Sequence, residues 1–308
     1  MAAVALAHAA VAALAERLRG GRVAVLTGAG VSTESGIPDY RSPEARARPR
    51  RPISGPDFVR SESVRRRYWA RAMAGWDSFR RASPGDSHHA IAHLEAQGVV
   101  SRVITQNVDR LHHAAGSRHV IELHGTLAEV ACLDCGGVED RDAVQVRMVA
   151  ANTAWAARTA RDAVAAPDGD ADLADDMIAA FEVPTCTACG GVLKPCVVFF
   201  GENVPRRVVD EAFATVDGAD GLLVAGTSLA VFSGYRFLRR AAERGAWIAI
   251  VNRGPVRGEE HAALKIEAST GAVLRELADI SSRLEPPSKS GARASVDVSE
   301  PAGSPLPG

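Results

Sequence analysis

Four cysteines fall in two Cys-x-x-Cys pairs, Cys132/Cys135 and Cys186/Cys189, each followed by two glycines (Gly136-Gly137 and Gly190-Gly191). Paired knuckles of this kind wrap a tetrahedral Zn²⁺ with four thiolates, and a shell filled by protein leaves no open position for catalysis. The alternative, free thiols or a redox dithiol, needs a Cys-x-x-Cys at a helix start, which the double glycines oppose. The interval between the pairs exceeds the usual finger spacing, so the module must hold an insertion. Cys196 stands outside both pairs and reads as a buried, inert thiol.

A second group of residues suits a dinucleotide. Gly28-Ala29-Gly30-Val31-Ser32-Thr33 follows the apolar run Val23–Leu26, and Gly36-Ile37-Pro38-Asp39-Tyr40-Arg41 comes soon after. A glycine turn lets backbone approach a pyrophosphate, though alone it is equally a plain strand–helix connection. It fails as a redox fingerprint, because the third glycine of G-x-G-x-x-G would fall at Thr33 and no acidic ribose partner stands about 20 residues on. Pro38 beside Asp39 and Arg41 makes a stiff turn with a charged pair, which favours the dinucleotide reading.

Gln106-Asn107-Val108-Asp109 offers amides and a carboxylate suited to a carboxamide and ribose hydroxyls, or simply a helix cap by Asn107 or Asp109. His124, in Leu123-His124-Gly125, is either structural or a general base. Its place just past an apolar run favours the base, whose ordinary pKa near ~6.5 suits work at neutral pH. Gly226-Thr227-Ser228 and Asn252-Arg253 add hydroxyl, backbone N–H and amide groups for the distal part of the same ligand.

These residues sit at the ends of short apolar runs: Val23–Leu26, Val103-Ile104, Val120-Ile121, Val197–Phe200, Leu222–Ala225 and Trp247–Val251. Continuous runs of this length suit strands buried on both faces of a parallel sheet. Helical patterns lie between many of them, at His88–Gln97, Pro205–Val216 and Tyr235–Arg244. The alternation predicts a doubly wound α/β fold, in which ligands bind at the carboxyl ends of strands.

Two stretches break the pattern. Residues 42–82, rich in Arg, Trp and Tyr, read as a loop plus a helical insertion. Residues 126–196 form the cysteine module, with an acidic interior (Asp168, Asp170, Asp172, Asp175, Asp176) on a solvated surface. The predicted organisation is a nucleotide-binding domain over 1–125 and 197–284, a zinc module over 126–196, and a Pro/Ser/Gly-rich disordered tail over 285–308. There is no internal repeat.

The 308 residues can bury a sizeable core. With 46 % apolar and 24 % charged residues, usage is that of a soluble globular protein. Lys+Arg number 36 against 37 Asp+Glu, so charge gives no reason to expect nucleic acid or an anionic membrane as partner. The basic stretch Arg46–Arg51 reads as a solvated loop. No apolar run reaches the roughly 18–20 residues of a membrane span. The alanine-rich Met1–Leu18 lacks an early basic region and closes on Glu16 and Arg17, as an amphipathic helix does and a signal peptide does not. The expectation is a cytoplasmic monomer.

Taken in order, Gly28–Ser32, Gly36–Arg41, Thr105–Asp109, Leu123–Gly125, the cysteine pairs, Phe200-Gly201-Glu202 and Gly226–Ser228 resemble the motifs of sirtuins, the NAD-dependent protein-lysine deacylases. The resemblance covers roughly residues 10–280. Arg67–Arg71, Ala166–Asp170 and Ser233–Phe237 look closer to the class II branch, which includes a mitochondrial lipoamidase. The resemblance implies a Rossmann-like sheet with a small structural-zinc module and a helical insertion. It places NAD, consumed as co-substrate, on Gly28, Ala29, Gly30, Ser32 and Thr33, under Pro38, Asp39, Tyr40 and Arg41, and against Thr105, Gln106, Asn107 and Val108. Its distal half would lie on Gly226, Thr227, Ser228, Asn252, Arg253 and Gly254, with a loose adenine match at Thr270.

Asn107 and Asp109 would orient the nicotinamide and His124 would act as base. The acyl-lysine peptide would add as a strand along Val198, Phe199, Gly201 and Glu202. Tyr68 and Arg71 match a Tyr-x-x-Arg pair associated with acidic acyl groups, since guanidinium plus phenol can hold a carboxylate. Without that, they are a packed Tyr and a helix-surface Arg. Protein mono-ADP-ribosylation and lipoamide cleavage at the same site are the alternative activities, and a non-enzymatic zinc-ribbon binder is a third. Cys196 departs from the family, which usually has an acidic residue after Lys194-Pro195.

Overall fold

A computed structural model of the chain describes residues 2–39, 52–159, 173 and 175–283. Six parallel strands form the main sheet: β1 (Val23–Thr27), β2 (Val100–Thr105), β3 (Val120–Glu122), β7 (Gly221–Ala225), β8 (Trp247–Val251) and β9 (Leu264–Ile266), in the order β3-β2-β1-β7-β8-β9. Among these six this is the 3-2-1-4-5-6 order of a dinucleotide-binding sheet, with its reversal point at β1 and β7.

Every residue of β1 and β7 is buried, because helices cover both faces. Val23 and Val25 pack on one side with α1 (Ala2–Leu18), α4 (Asp86–Ala96) and α11 (Thr270–Arg283). Ala24 and Leu26 pack on the other with α9 (Arg206–Asp217) and α10 (Phe232–Glu243). That two-sided burial is why these strands read as unbroken apolar runs.

A second, antiparallel sheet has the order β5-β4-β6, from β4 (Gly125–Cys132), β5 (Val138–Asp140) and β6 (Leu193–Val197). It corrects one expectation. Val197–Phe200 is not a strand of the parallel sheet: β6 ends at Val197, pairs antiparallel with β4, and continues as an extended segment whose Phe200 bridges Ser54. An apolar run alone does not distinguish the two sheets. Strand β9, with Lys265 at its centre, has no such run to announce it.

The small sheet packs on α6 (Arg141–Ala151) and shares an apolar core with α2 (Gly55–Arg60) and α3 (Glu62–Arg80). Trp69 Nε1 donates to Leu193 O at 3.3 Å. The buried Arg141 guanidinium lies 4.4 Å from the Trp76 ring centroid and donates to Ala72 O. Short helices α5 (Leu111–Ala114), α7 (Thr153–Thr159) and α8 (Asp175–Ala179) complete the α-helices among the described residues. Arg46–Arg51, Ala166–Asp172 and the tail after Arg283 lie outside the described residues. Among the described residues no helix is long and apolar enough to cross a membrane.

Candidate active site

The turns after β1 and β7 meet at the reversal point. Gly30 N–H donates to Gly226 O at 2.8 Å, and a Cβ on Gly30 would stand 2.8 Å from Gly226 Cα. Gly226 itself has φ +61°, a conformation that side chains disfavour. Glycine is required here so that two backbones can touch, which brings both turns to the rim of one cleft.

That cleft has a volume of ≈ 790 Å³, within the range of small-molecule sites. Its wall includes Gly28, Ala29, Gly30, Ser32 and Asp39 from the first loops, and Gln106, Asn107, Val108 and Asp109 from the end of β2. His124, Gly226, Thr227, Ser228, Asn252, Arg253 and Gly254 complete the strand-end groups. Val198, Phe199, Gly201 and Glu202 line the opposite lip, and Tyr68 and Arg71 of α3 also reach the wall.

Some expected residues do not line it. The hydroxyl of exposed Thr33 folds back onto Gly30 O, and Pro38 stands just off the wall between Ile37 and Asp39. Thr105 is buried and bonds within the fold to Thr27 and the Asn107 N–H. Thr270 is buried at the start of α11 and bonds to Ser87. Tyr40 and Arg41 lie outside the described residues.

A buried polar network fixes the amide and carboxylate. Asn107 Nδ2 donates to Gly28 O at 3.2 Å and to Ser32 Oγ at 3.0 Å, and Ser32 Oγ donates to Asp109 Oδ2 at 2.7 Å. His88, accepting from Gly85 N–H at Nδ1, lies with Nε2 3.4 Å from Ser32 Oγ. Behind it the Thr27 hydroxyl bridges Thr105 Oγ1 and His112 Nε2 at 2.9 Å each. Burial pushes the His112 pKa well down, and the neighbouring His88 adds to the shift. Burial lowers the His88 pKa too, against the pull of the Asp109 carboxylate, so both imidazoles favour the neutral form. The sequence pointed to none of Thr27, His88 and His112, because the Ser32–His88, Thr27–Thr105 and Thr27–His112 contacts span 56, 78 and 85 residues.

His124 is held at both nitrogens. Nδ1 lies 2.9 Å from the Gln106 carbonyl, which can only accept, so Nδ1 carries the proton and Nε2 presents the lone pair. Burial lowers its pKa, the Gln106 carbonyl opposes that, and Arg236 adds to the lowering. A neutral imidazole with its lone pair in a cleft is a competent general base. The lip is tied to it, since Val198 N–H donates to His124 O at 2.9 Å. Glu202 is locked by Lys194 at 3.0 Å and by the Phe199 N–H at 2.8 Å.

At the far end of β4, Cys132, Cys135, Cys186 and Cys189 converge, with all four Sγ atoms within 4.8 Å of one another. The Cys132–Cys189 and Cys135–Cys186 separations are 3.6 and 3.8 Å. A tetrahedron with Zn–S arms of ~2.3 Å has edges of about 3.8 Å, so the set fits zinc. The two knuckles share one turn: Cys132 N–H donates to Gly137 O and Cys186 N–H to Gly191 O. The Cys135 N–H, against burial and with help from the Asp134 N–H, lowers the Cys132 thiol to about 7, while hydrogen bonds among the four thiols push Cys189 up to about 12 against the Gly191 N–H. Cys196 is half-buried, and burial raises its thiol pKa.

The Sir2 family model matches residues 28–233. Over 253 residues the chain is 50 % identical to NAD-dependent protein deacetylase 2 of Bradyrhizobium diazoefficiens, covering 82 % of this chain and 92 % of that one. It is 48 % identical over 271 residues to NAD-dependent protein deacetylase 1 of Streptomyces coelicolor, covering 87 % and 89 %. A solved Sir2 homologue–NAD complex superposes with a TM-score of 0.67 at 31 % identity, over 88 % of this chain and 93 % of that one. A Sir2–p53 peptide–NAD⁺ structure gives 0.69 at 28 % identity, over 87 % and 97 %. The chain belongs to the Sir2 family.

Proposed function

We propose that the protein is an NAD-dependent protein-lysine deacetylase. The observation that carries this is His124, neutral and clamped at Nδ1, facing the cleft beside the Asn107–Ser32–Asp109 network. The names and bound ligands of the relatives support it. The glycine turns at Gly28–Ser32 and Gly226–Ser228 would hold the phosphates with backbone N–H and hydroxyl donors. Asn107 and Asp109 would fix the nicotinamide end. The co-substrate supplies a ribose C1′ to which the acyl oxygen adds as nicotinamide departs. His124 Nε2 would then take a proton from a ribose hydroxyl, freeing its oxygen to attack the acyl carbon. Departure of the lysine amine from the acyl carbon and addition of one water there would then give free lysine and O-acyl-ADP-ribose, beside the nicotinamide already released. The Val198–Glu202 lip would pair with the extended substrate backbone. Zinc, when bound, closes a four-thiolate structural centre and takes no part in the reaction.

Acceptance of acidic acyl chains, the class II property, is a finer part of the proposal. Tyr68 and Arg71 both line the cleft, and Tyr68 packs edge-on to Phe58, Trp69 and Phe199. That supports a tunnel for the acyl chain with a cation beside it. Acetyl-, succinyl-, glutaryl- and lipoyl-lysine peptides incubated with NAD⁺ and ranked by nicotinamide release test both parts. Arg71→Met is expected to lower release from succinyl and glutaryl peptides about tenfold or more while largely sparing the acetyl peptide. Equal loss on all acyl groups would refute the acidic pocket. ADP-ribose attached to protein, in place of free O-acyl-ADP-ribose, would refute deacylation.

A further inference from the structure

The first turn of α10 carries a group that acts on the base itself. His124 has one lone pair in this cleft, at Nε2, because Nδ1–H is committed to the Gln106 carbonyl. Ser233 Oγ lies 2.9 Å from that nitrogen. A nitrogen with a lone pair can only accept, so the Ser233 hydroxyl donates. The position it occupies is where any hydroxyl that His124 deprotonates must sit.

The frame around this contact is tight. A Cβ on Gly234 would stand 2.5 Å from Gln106 Oε1, so α10 approaches the end of β2 as closely as a glycine permits. Gln106 Nε2 is itself fixed by Thr27 O at 3.1 Å and Thr227 Oγ1 at 2.9 Å. One residue thus holds His124 from below through its carbonyl, and abuts the helix that brings Ser233 from the other side. One turn along, Arg236 lies over Phe232 at 5.3 Å with its Nε buried and without a hydrogen-bond partner. It is the charged group whose field disfavours the imidazolium, while Asp39, Asp109, Glu202, Arg71 and Arg253 face the same cleft.

We propose that Ser233 is a positioning residue for His124: its hydroxyl holds the ring in the Nδ1–H form with Nε2 aimed into the cleft, and gives up that lone pair to the substrate hydroxyl. This rests on His124 being the base of the proposed reaction. The exchange replaces one O–H···N bond by another, so binding neither rotates the ring nor uncovers an unpaired nitrogen. Ser233 stands in for the reacting hydroxyl until the co-substrate arrives.

The test is long-range ¹H–¹⁵N NMR of the His124 ring in the full chain without ligand, comparing the native protein, Ser233→Ala and Ser233→Thr. The native ring should be the Nδ1–H tautomer. Ser233→Ala removes a donor that favours the neutral form, and should raise the His124 pKa by about half to one unit. Ser233→Thr should restore the native value. In turnover, Ser233→Ala should lower kcat/KM for NAD⁺ by about two- to tenfold and move the acidic limb of the pH profile up by the same shift. An Nε2–H tautomer in the native protein, or an identical His124 titration with and without the Ser233 hydroxyl, would overturn the inference. Neither reading needs turnover, so an enzyme that deacylates no peptide would refute the proposed function separately.

Discussion

At the cleft rim, the turns after β1 and β7 are fixed by backbone contact between Gly30 and Gly226, at the ends of strands buried along their whole length. At the cysteine knuckles, turns of similar length sit on a three-stranded sheet whose β5 has only its central residue partly covered, and Cys135 and Cys189 are exposed. The first region is held by apolar burial on two faces and closes without help. The second has an apolar core under its sheet, but its turns project beyond that core, where four thiols are placed to hold a metal. The two are joined through α3, which packs on the small sheet and presents Tyr68 and Arg71 to the cleft.

The largest expected effect breaks one region and spares the other. Removing zinc with a chelator, or Cys135→Ser, should unfold the small sheet, because structural zinc binding is worth about 10–16 kcal/mol in small zinc domains. Hydrogen exchange should show β4, β5 and β6 losing protection while β1 and β7 keep theirs. Equal loss in both sheets would contradict the independence of the large one. Activity should fall with the small sheet, since its core supports α3 and the Val198–Phe199 lip.

The next effect leaves both regions folded. His124→Ala should lower deacylation about 10²–10⁴-fold with an unchanged melting temperature, as loss of a general base does. A loss below tenfold would mean that another group takes the proton.

Smaller, and confined to the large sheet, is a pH effect. His112 is neutral in the fold with a pKa pushed well down by burial, and His88 is lowered for the same reason. Unfolded histidines take up protons below about pH 6.5 while these do not. Their contribution to stability is therefore complete above about pH 6.5 and is lost as pH falls toward the lowered values. Urea midpoints followed at tryptophan-independent amides of β1 and β2 should drop between pH 7.5 and 5.5, and His112→Gln should flatten that slope. A native slope of zero would contradict the neutral, buried assignment.

What could be read from the sequence follows the same division. The knuckles and the Gly28–Ser32 turn are contiguous, so residue type and spacing sufficed to find them. The strands under the cleft were readable because burial on two faces leaves an unbroken apolar run. Val197–Phe200 misled for that reason: it is as apolar as a core strand, yet it pairs antiparallel with β4 and ends on the exposed Phe200. The Thr27–His112 and Ser233–His124 contacts join residues 85 and 109 positions apart, and no local pattern announces them. Ser233 and Arg236 stand at i and i+3 of a helix that starts just after the Gly226–Ser228 turn. The likeness of Ser233–Phe237 to the class II branch marked the segment, but nothing local set Ser233 against His124.

In the proposed reaction this cleft consumes NAD⁺ to remove an acyl group from lysine with His124 as base. The direct test is a mass-resolved product balance after incubating the native protein and His124→Ala with NAD⁺ and an acetyl-lysine peptide. The native protein should yield nicotinamide, deacetylated peptide and O-acetyl-ADP-ribose in equal amounts, and the variant should lose the last two. Nicotinamide formed without O-acetyl-ADP-ribose, or a balance unchanged by His124→Ala, would contradict it.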